Sequence, residues 1–310
     1  MKVSLIATVL NETDSIEEFI KSIKAQTKKP DEIIIVDGGS TDGTQDILKK
    51  YPDIKLIVKN GANIPEGRNL AIKNASGEII LVTDAGCVLK EDWLDKITAP
   101  FIKDANLEVV GGYYSPIIGN TILERAQATL YLGRKTESPF FSPSSRSIAF
   151  KKEIWEKVGK YTEWLSIGED SYFNKQWRKH GAKYIFIKDA IVYWEMRKRW
   201  SDLIKQYFRY GRGSGICGNK VPFILYPIYL GGLVLALMSI KSPIILYFLV
   251  PLAVIYLMKF RIKRLRNIKE SELKLYQIPI VWLVDIINNF STISGHIVGS
   301  IIRIFNPRDD

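Results

Sequence analysis

The chain has 310 residues, room for one large domain or two smaller ones, with the 46% hydrophobic content of an ordinary globular protein. Two widely separated cysteines, Cys87 and Cys217, exclude a disulfide framework and a cysteine metal cage, and two histidines, His180 and His296, argue against a histidine-rich zinc site or a Ser-His-Asp triad. The net charge of +11 arises wholly after residue 196, because residues 1–196 carry 27 Lys+Arg against 27 Asp+Glu.

From the N-terminus, Met1-Lys2 leads straight into a strand over Val3–Val9, so no signal peptide is expected. Asp14–Ala25 reads as a helix, with Asp14 as N-cap and Glu17 in capping-box spacing. Glu32–Val36 is a buried strand and Thr41–Lys50 a helix. Lys55–Val58 is a short strand, Pro65–Asn74 a helix with an early proline, and Glu78–Thr83 another buried strand. This β-α-β-α rhythm predicts an α/β domain with a mostly parallel sheet covered by helices. Ligands of such sheets sit beyond the carboxyl ends of the strands. Three strands end there in polar clusters: Thr8 with Asn11 and Glu12, Asp37-Gly38-Gly39-Ser40, and Thr83-Asp84. Taken alone, the Asp37 cluster reads equally as a turn leading to a helix cap. No phosphate-loop or dinucleotide glycine pattern is present.

Residues 197–220 hold seven basic groups against Asp202 alone, and residues 259–274 hold seven against two acids. Basic blocks suggest nucleic acid first. These two flank uncharged segments, 221–240 and 244–258, which favours an anionic membrane surface and no nucleic-acid partner. A helical hairpin of two spans (about 221–240 and 244–260) is therefore expected, with the basic blocks cytoplasmic. Residues 276–302 admit a third span, a re-entrant segment or an interfacial helix. Residues 200–213, WSDLIKQYFRYGRG, read as an amphipathic helix at the membrane surface. The expected domains are 1–196 cytoplasmic, 197–220 juxtamembrane and 221–310 in the membrane. The location expected is the cell membrane, multi-pass.

Three blocks resemble a known family. Residues 8–44, 67–86 (GRNLAIKNASGEIILVTDAG) and 168–194 (GEDSYFNKQWRKHGAKYIFIKDAIVYW) look like the sequence blocks of family 2 inverting glycosyltransferases of the GT-A fold. The resemblance covers roughly residues 1–215. It implies that Thr8, Val9, Asn11 and Glu12 line a nucleotide pocket. By the same resemblance Asp37 holds the base, and Arg68, with Asn69 beside it, lies near the diphosphate. Asp84 matches the first acid of a D-x-D element that contacts ribose or a metal. Asp170 resembles the general base, with Glu169 as its orienting neighbour.

The resemblance also implies a nucleotide-sugar donor (UDP- or GDP-sugar) and a divalent cation, Mg²⁺ or Mn²⁺. With the membrane segments it suggests transfer of one sugar to a lipid-linked acceptor such as a polyprenyl or dolichyl phosphate. The chemistry needs such groups. Leaving diphosphate charge must be offset, and one carboxylate takes the proton of the attacking hydroxyl. The sequence departs from the family at Gly86, where the second acid of D-x-D would stand, and at Trp194, where many relatives carry His. A cation bound weakly without donor is therefore expected. Residues 196–200 keep Arg199-Trp200 but lose the Gln of the processive-synthase signature. That favours single transfer over a polysaccharide synthase, while Gly86 leaves a non-catalytic nucleotide-binding membrane scaffold as the rival from another class. Residues 134–147 read as a mobile acceptor loop or a plain surface loop.

Overall fold

The computed structural model describes residues 1–132, 142–219 and 267–305, with Gly231, Met238, Ser242 and Tyr247 between them. The two-span hairpin expected over 221–260, and residues 134–141 of the expected acceptor loop, lie outside the described residues. The chain forms two compact units, Met1–Ile117 with Arg134–Glu195, and Ile118–Gly133 with Met196–Asp310.

The first unit is an α/β layer structure. Its strands are β1 (Val3–Val9), β2 (Glu32–Asp37), β3 (Ile54–Val58), β4 (Ile79–Val82), β5 (Cys87–Leu89), β6 (Val109–Pro116), β7 (Ile148–Lys151) and β8 (Tyr184–Trp194). They form one sheet in the order β3-β2-β1-β4-β7-β6-β8-β5. The half built from β3, β2, β1 and β4 is parallel, as the βα rhythm predicts. The other half is mixed: β7 runs antiparallel to both β4 and β6, β5 runs antiparallel to β8, and β6 and β8 are parallel. The sheet is thus mixed, with four of its seven strand pairings parallel. An antiparallel β7 needs no crossover helix, so the sequence rhythm stops at β4.

The helices are α1 (Ile16–Lys24), α2 (Thr44–Leu48), α3 (Ile64–Asn74), α4 (Trp93–Lys103), α6 (Lys152–Lys157) and α7 (Glu169–Lys179) in this unit, with α5 belonging to the second. The expected cap of α1 is corrected. The helix begins at Ile16 after Ser15, without a side-chain cap bond. The preceding loop is tied elsewhere, by Glu12 N–H donating to Thr44 Oγ1 (2.9 Å) and Thr13 N–H to Asp42 (3.1 Å). The capping box lies at α3, where Asn63 and Glu66 accept from each other's backbone N–H. The core joins Ile6, Ile34, Val36, Ile80 and Val82 of the sheet to Phe150, Trp155, Tyr161, Phe173 and Trp177. Burying each such side chain contributes roughly 1.5–3 kcal/mol.

The second unit holds α5 (Ile122–Tyr131), α8 (Trp200–Ile216) and α9 (Ile278–Phe305). α5 begins with a capping box of Thr121 and Glu124. Leu123, Ala126, Leu130, Leu203, Val281 and Val284 form its apolar centre. Gly211 and Gly215 of α8 face Gly295 and Gly299 of α9. A methyl on Gly211 would overlap the Thr292 carbonyl, and one on Gly299 the Arg212 carbonyl. The helix 200–213 therefore packs backbone to backbone on α9, a closeness only small residues permit. Among the described residues one helix, Leu275–Phe305, is long and apolar enough to cross a membrane. It keeps Leu283, Ile286, Phe290, Ile301 and Phe305 exposed while Asp285, Asn288, Ser291 and His296 are buried.

Candidate active site

The carboxyl ends of β1, β2 and β4 meet, as the strand pairing requires: Val9 aligns with Asp37, and Ile6 with Val82. Gly38 N–H donates to the Val9 carbonyl at 2.9 Å, joining the ends of β1 and β2. Asn11 adopts φ 55°, a left-handed conformation that Asn tolerates better than most residues. From there its Oδ1 accepts from Thr41 N–H (2.9 Å), and its own N–H donates to Ser40 Oγ (2.8 Å). Asn11 thus braces the loop after Asp37. Glu12 accepts a 2.7 Å bond from Ser15 Oγ.

Asp37 is fully buried. Its Oδ1 accepts from Gly39 N–H and Ser40 N–H, both at 2.7 Å, and from Gln45 Nε2 at 3.0 Å. Its Oδ2 has no hydrogen-bond partner among the described residues. An unpaired buried acceptor costs on the order of 1–3 kcal/mol, which an arriving ring N–H would recover.

α3 supplies the next group. Gly67 seats the helix on β1, since a methyl there would come within 2.8 Å of Thr8 Cγ2. Arg68, 3% exposed, donates to Asp84 Oδ1 at 2.8 Å and to Glu169 Oε1 at 2.5 Å. Burial disfavours its charge, but Glu169 and Asp84 outweigh that and raise its pKa above the ordinary arginine value. Glu169, at the first position of α7, is pushed up to about 7, chiefly by burial and further by Asp170, against the pull of Arg68. Asp170 follows it on the same first turn and is more open, accepting from Ser171 N–H at 2.6 Å.

Asn69, next to Arg68, is buried and tied within the protein. Its Oδ1 accepts from Trp155 Nε1 and Tyr161 N–H, both at 3.0 Å, and its Nδ2 donates to the Tyr161 carbonyl (2.8 Å) and Glu163 (3.0 Å). All four hydrogen-bonding positions of an amide are taken. Asn69 is a structural tie to residues 155–163.

Sequence reasoning missed Arg146. Its Nε lies 3.7 Å from Asp84 Oδ2, and its guanidinium stacks 4.2 Å above the Trp194 ring and 5.5 Å from that of Tyr114. Its Nη1 donates to Ser144 Oγ at 3.2 Å. The segment 142–147 is anchored, with Pro143, Ser145 and Ser147 buried: Asn174 donates to Ser142 and Pro143, and Trp93 Nε1 to Ser147 Oγ. No short motif marks Arg146, since only the antiparallel return of β7 brings it to Asp84.

A divalent cation does not fit the site as folded. Both Asp84 oxygens face guanidinium groups. Gly86 offers no second acid, although a side chain there would meet only Glu12 Oε2, at 4.0 Å. Among the described residues no three His, Cys, Asp or Glu side chains converge on a point. A cation 4 Å from one arginine would meet repulsion on the order of 8 kcal/mol at an effective dielectric near 20.

The carboxyl edge of the sheet thus brings together a buried acid with one unpartnered oxygen, an arginine–carboxylate chain and a helix-start acid. The chain belongs to glycosyl transferase family 2, whose model matches residues 4–179, and it is a glycosyltransferase. It is 27% identical over 227 residues to glycosyltransferase AglE of Haloferax volcanii, covering 68% of this chain and 72% of that one. It is 24% identical over 320 residues to a dolichyl N-acetyl-alpha-D-glucosaminyl phosphate 3-beta-D-2,3-diacetamido-2,3-dideoxy-beta-D-glucuronosyltransferase of Methanococcus voltae, over 96% and 98% of the two chains. Its fold is similar to a mannosyltransferase of Pyrobaculum calidifontis solved with GDP-Man and Mn²⁺. That match has a TM-score of 0.56 and 18% identity over 99% and 88% of the chains.

Proposed function

We propose that the chain transfers a single sugar, with inversion, from a UDP- or GDP-sugar to a lipid-linked acceptor such as a polyprenyl or dolichyl phosphate or a growing lipid-linked glycan. The observation that carries the donor reading is the buried, unpartnered Oδ2 of Asp37 at the end of β2, with β1 between it and the β4 end that carries the Arg68–Asp84 pair. A base N–H at one and phosphate oxygens at the other suit one nucleotide diphosphate. The lipid-linked acceptor is supported by the Methanococcus relative, whose name carries a dolichyl phosphate, at near full-length coverage. Membrane anchoring is supported by α9, whose 28 residues span about 42 Å at 1.5 Å each, more than the roughly 30 Å of hydrocarbon.

In this reading Thr8, Val9, Asn11 and Glu12 wall the nucleotide pocket. Asp170 takes the proton of an acceptor hydroxyl as that oxygen attacks the anomeric carbon. The bond to the diphosphate breaks, and its electron pair stays on the diphosphate. Glu169 holds Arg68 in place. An acceptor phosphate is already ionised, and toward it Asp170 serves to orient. Mn²⁺ accompanies GDP-Man in the Pyrobaculum structure; a cation entering with donor here would first have to free Asp84 from its arginines.

A thermal-shift screen of UDP-, GDP- and dTDP-sugars, followed by transfer of the stabilising donor's radiolabelled sugar to polyprenyl phosphate, tests the reading. One added sugar per acceptor is expected. Long products would establish a polymerase instead.

A further inference from the structure

We propose that Arg146 is the cationic group that receives the leaving diphosphate, so that transfer runs on arginine charge and needs no resident metal ion. The proposal rests on the donor reading above.

Three observations converge on it. The first is register. Val82 of β4 pairs with Ile148 of antiparallel β7. Two residues beyond the one and two before the other stand Asp84 and Arg146, opposite each other at the carboxyl edge of the sheet. The second is the cradle. The Trp194 ring at 4.2 Å, the Tyr114 ring at 5.5 Å and Ser144 Oγ at 3.2 Å hold the guanidinium, whose side chain is 16% exposed. The third is convergence. Arg146 and Arg68 both reach the carboxylate of Asp84, at 3.7 and 2.8 Å, and Arg68 is held from its other side by Glu169. Asp84 has no acid at Gly86 to share that task.

A guanidinium stays charged at any working pH and presents its N–H donors in a fork that matches phosphate oxygens. When the diphosphate enters, it brings the negative charge that Asp84 supplies in its absence. As the sugar–oxygen bond breaks, the electron pair remains on the diphosphate oxygen. Arg146 and Arg68 stabilise it there, and where the acceptor is a hydroxyl its proton passes to Asp170 as its oxygen bonds to the anomeric carbon. Asp84 is then a positioning residue that keeps both arginines aimed at the pocket.

Calorimetric titration of the full-length protein with UDP and with GDP, in excess EDTA and in MnCl₂, tests this. The preferred diphosphate is expected to bind in EDTA within about threefold of its affinity in Mn²⁺. Arg146→Ala is expected to weaken that binding at least tenfold, and Arg146→Lys to restore part of it. Binding of the free nucleoside stays unchanged, which controls for folding. With the matching sugar donor in EDTA, Arg146→Ala is expected to lower kcat by about 100-fold, the scale of losing one preorganised charge-stabilising group. Diphosphate binding that appears only with Mn²⁺ and survives Arg146→Ala would overturn the role of Arg146 while leaving the donor reading intact. A wild-type protein that binds neither diphosphate and turns over no donor, with or without Mn²⁺, would overturn both.

Discussion

Glu169 accepts a 2.5 Å hydrogen bond from Arg68 across 101 residues of chain, and both side chains are nearly closed to solvent. Removing one member of such a pair strands the other's charge in a poor solvent. Arg68→Ala is expected to cost about 3–5 kcal/mol of stability in urea denaturation. Glu169→Gln, which keeps a hydrogen-bond acceptor, is expected to cost less.

The same glutamate makes stability depend on pH. Its carboxyl is pushed up to about 7 from 4.5 by burial, so the folded chain binds its proton more tightly than the unfolded chain does. The contribution is full below about 4.5 and is lost as pH rises through about 7. Denaturation midpoints at pH 5 and pH 7.5 are expected to show this fall in the wild type. They are expected to show a smaller one in Glu169→Gln. An unchanged slope would mean that another group dominates this range.

Asp37→Asn keeps an oxygen for the N–H groups of Gly39 and Ser40 but turns the unpaired position into a donor. Nucleotide affinity is expected to drop 10- to 100-fold, read by calorimetry, with little change in melting temperature. A facing donor N–H would explain that loss, because a buried donor–donor clash discriminates strongly.

Asn69→Ala removes both partners of Trp155 Nε1 and Tyr161 N–H. Stability is expected to fall by about 2–4 kcal/mol, while nucleotide affinity of the remaining folded protein holds. A nucleotide defect at constant stability would return Asn69 to the donor pocket.

In the helical unit, Gly299→Leu drives a side chain into the Arg212 backbone, which cannot yield. Loss of α8–α9 packing is expected, seen as a lower melting temperature in detergent by several degrees. Ser214→Ala on the same helix is expected to be neutral.

The parallel half of the sheet was legible because its strands are apolar runs, IIIV and IILV, bounded by polar ends and spaced by helix-length segments. The other half was not. β6 reads VVGGYYSP, its glycines and tyrosines giving no clean period, and β7 is only four residues long. Asp37 and Asp84 stood out as acids at strand ends, and Arg68, Glu169 and Asp170 through the resemblance to the family's blocks; Arg68 joins Asp84 to Glu169. Arg146 carries no local signature and becomes visible only once β7 is known to run beside β4. The helix over 200–213 was read correctly as a helix, but its packing against α9 was not foreseen. Its glycines, the residues that bring it against α9, do not register in a count of apolar and basic side chains.

Gly67, Arg68 and Asn69 are consecutive, yet each meets a different part of the molecule: β1, the carboxylate cluster and the 155–163 segment. A helix turns about 100° per residue, so three neighbours point along three separate bearings. α3 therefore works as an indexing key. Inserting or deleting one residue between its Asn63 cap and Asn69 would rotate all three out of place at once. Homologous chains are expected to vary freely in the loops around α3 while keeping the length of this segment fixed.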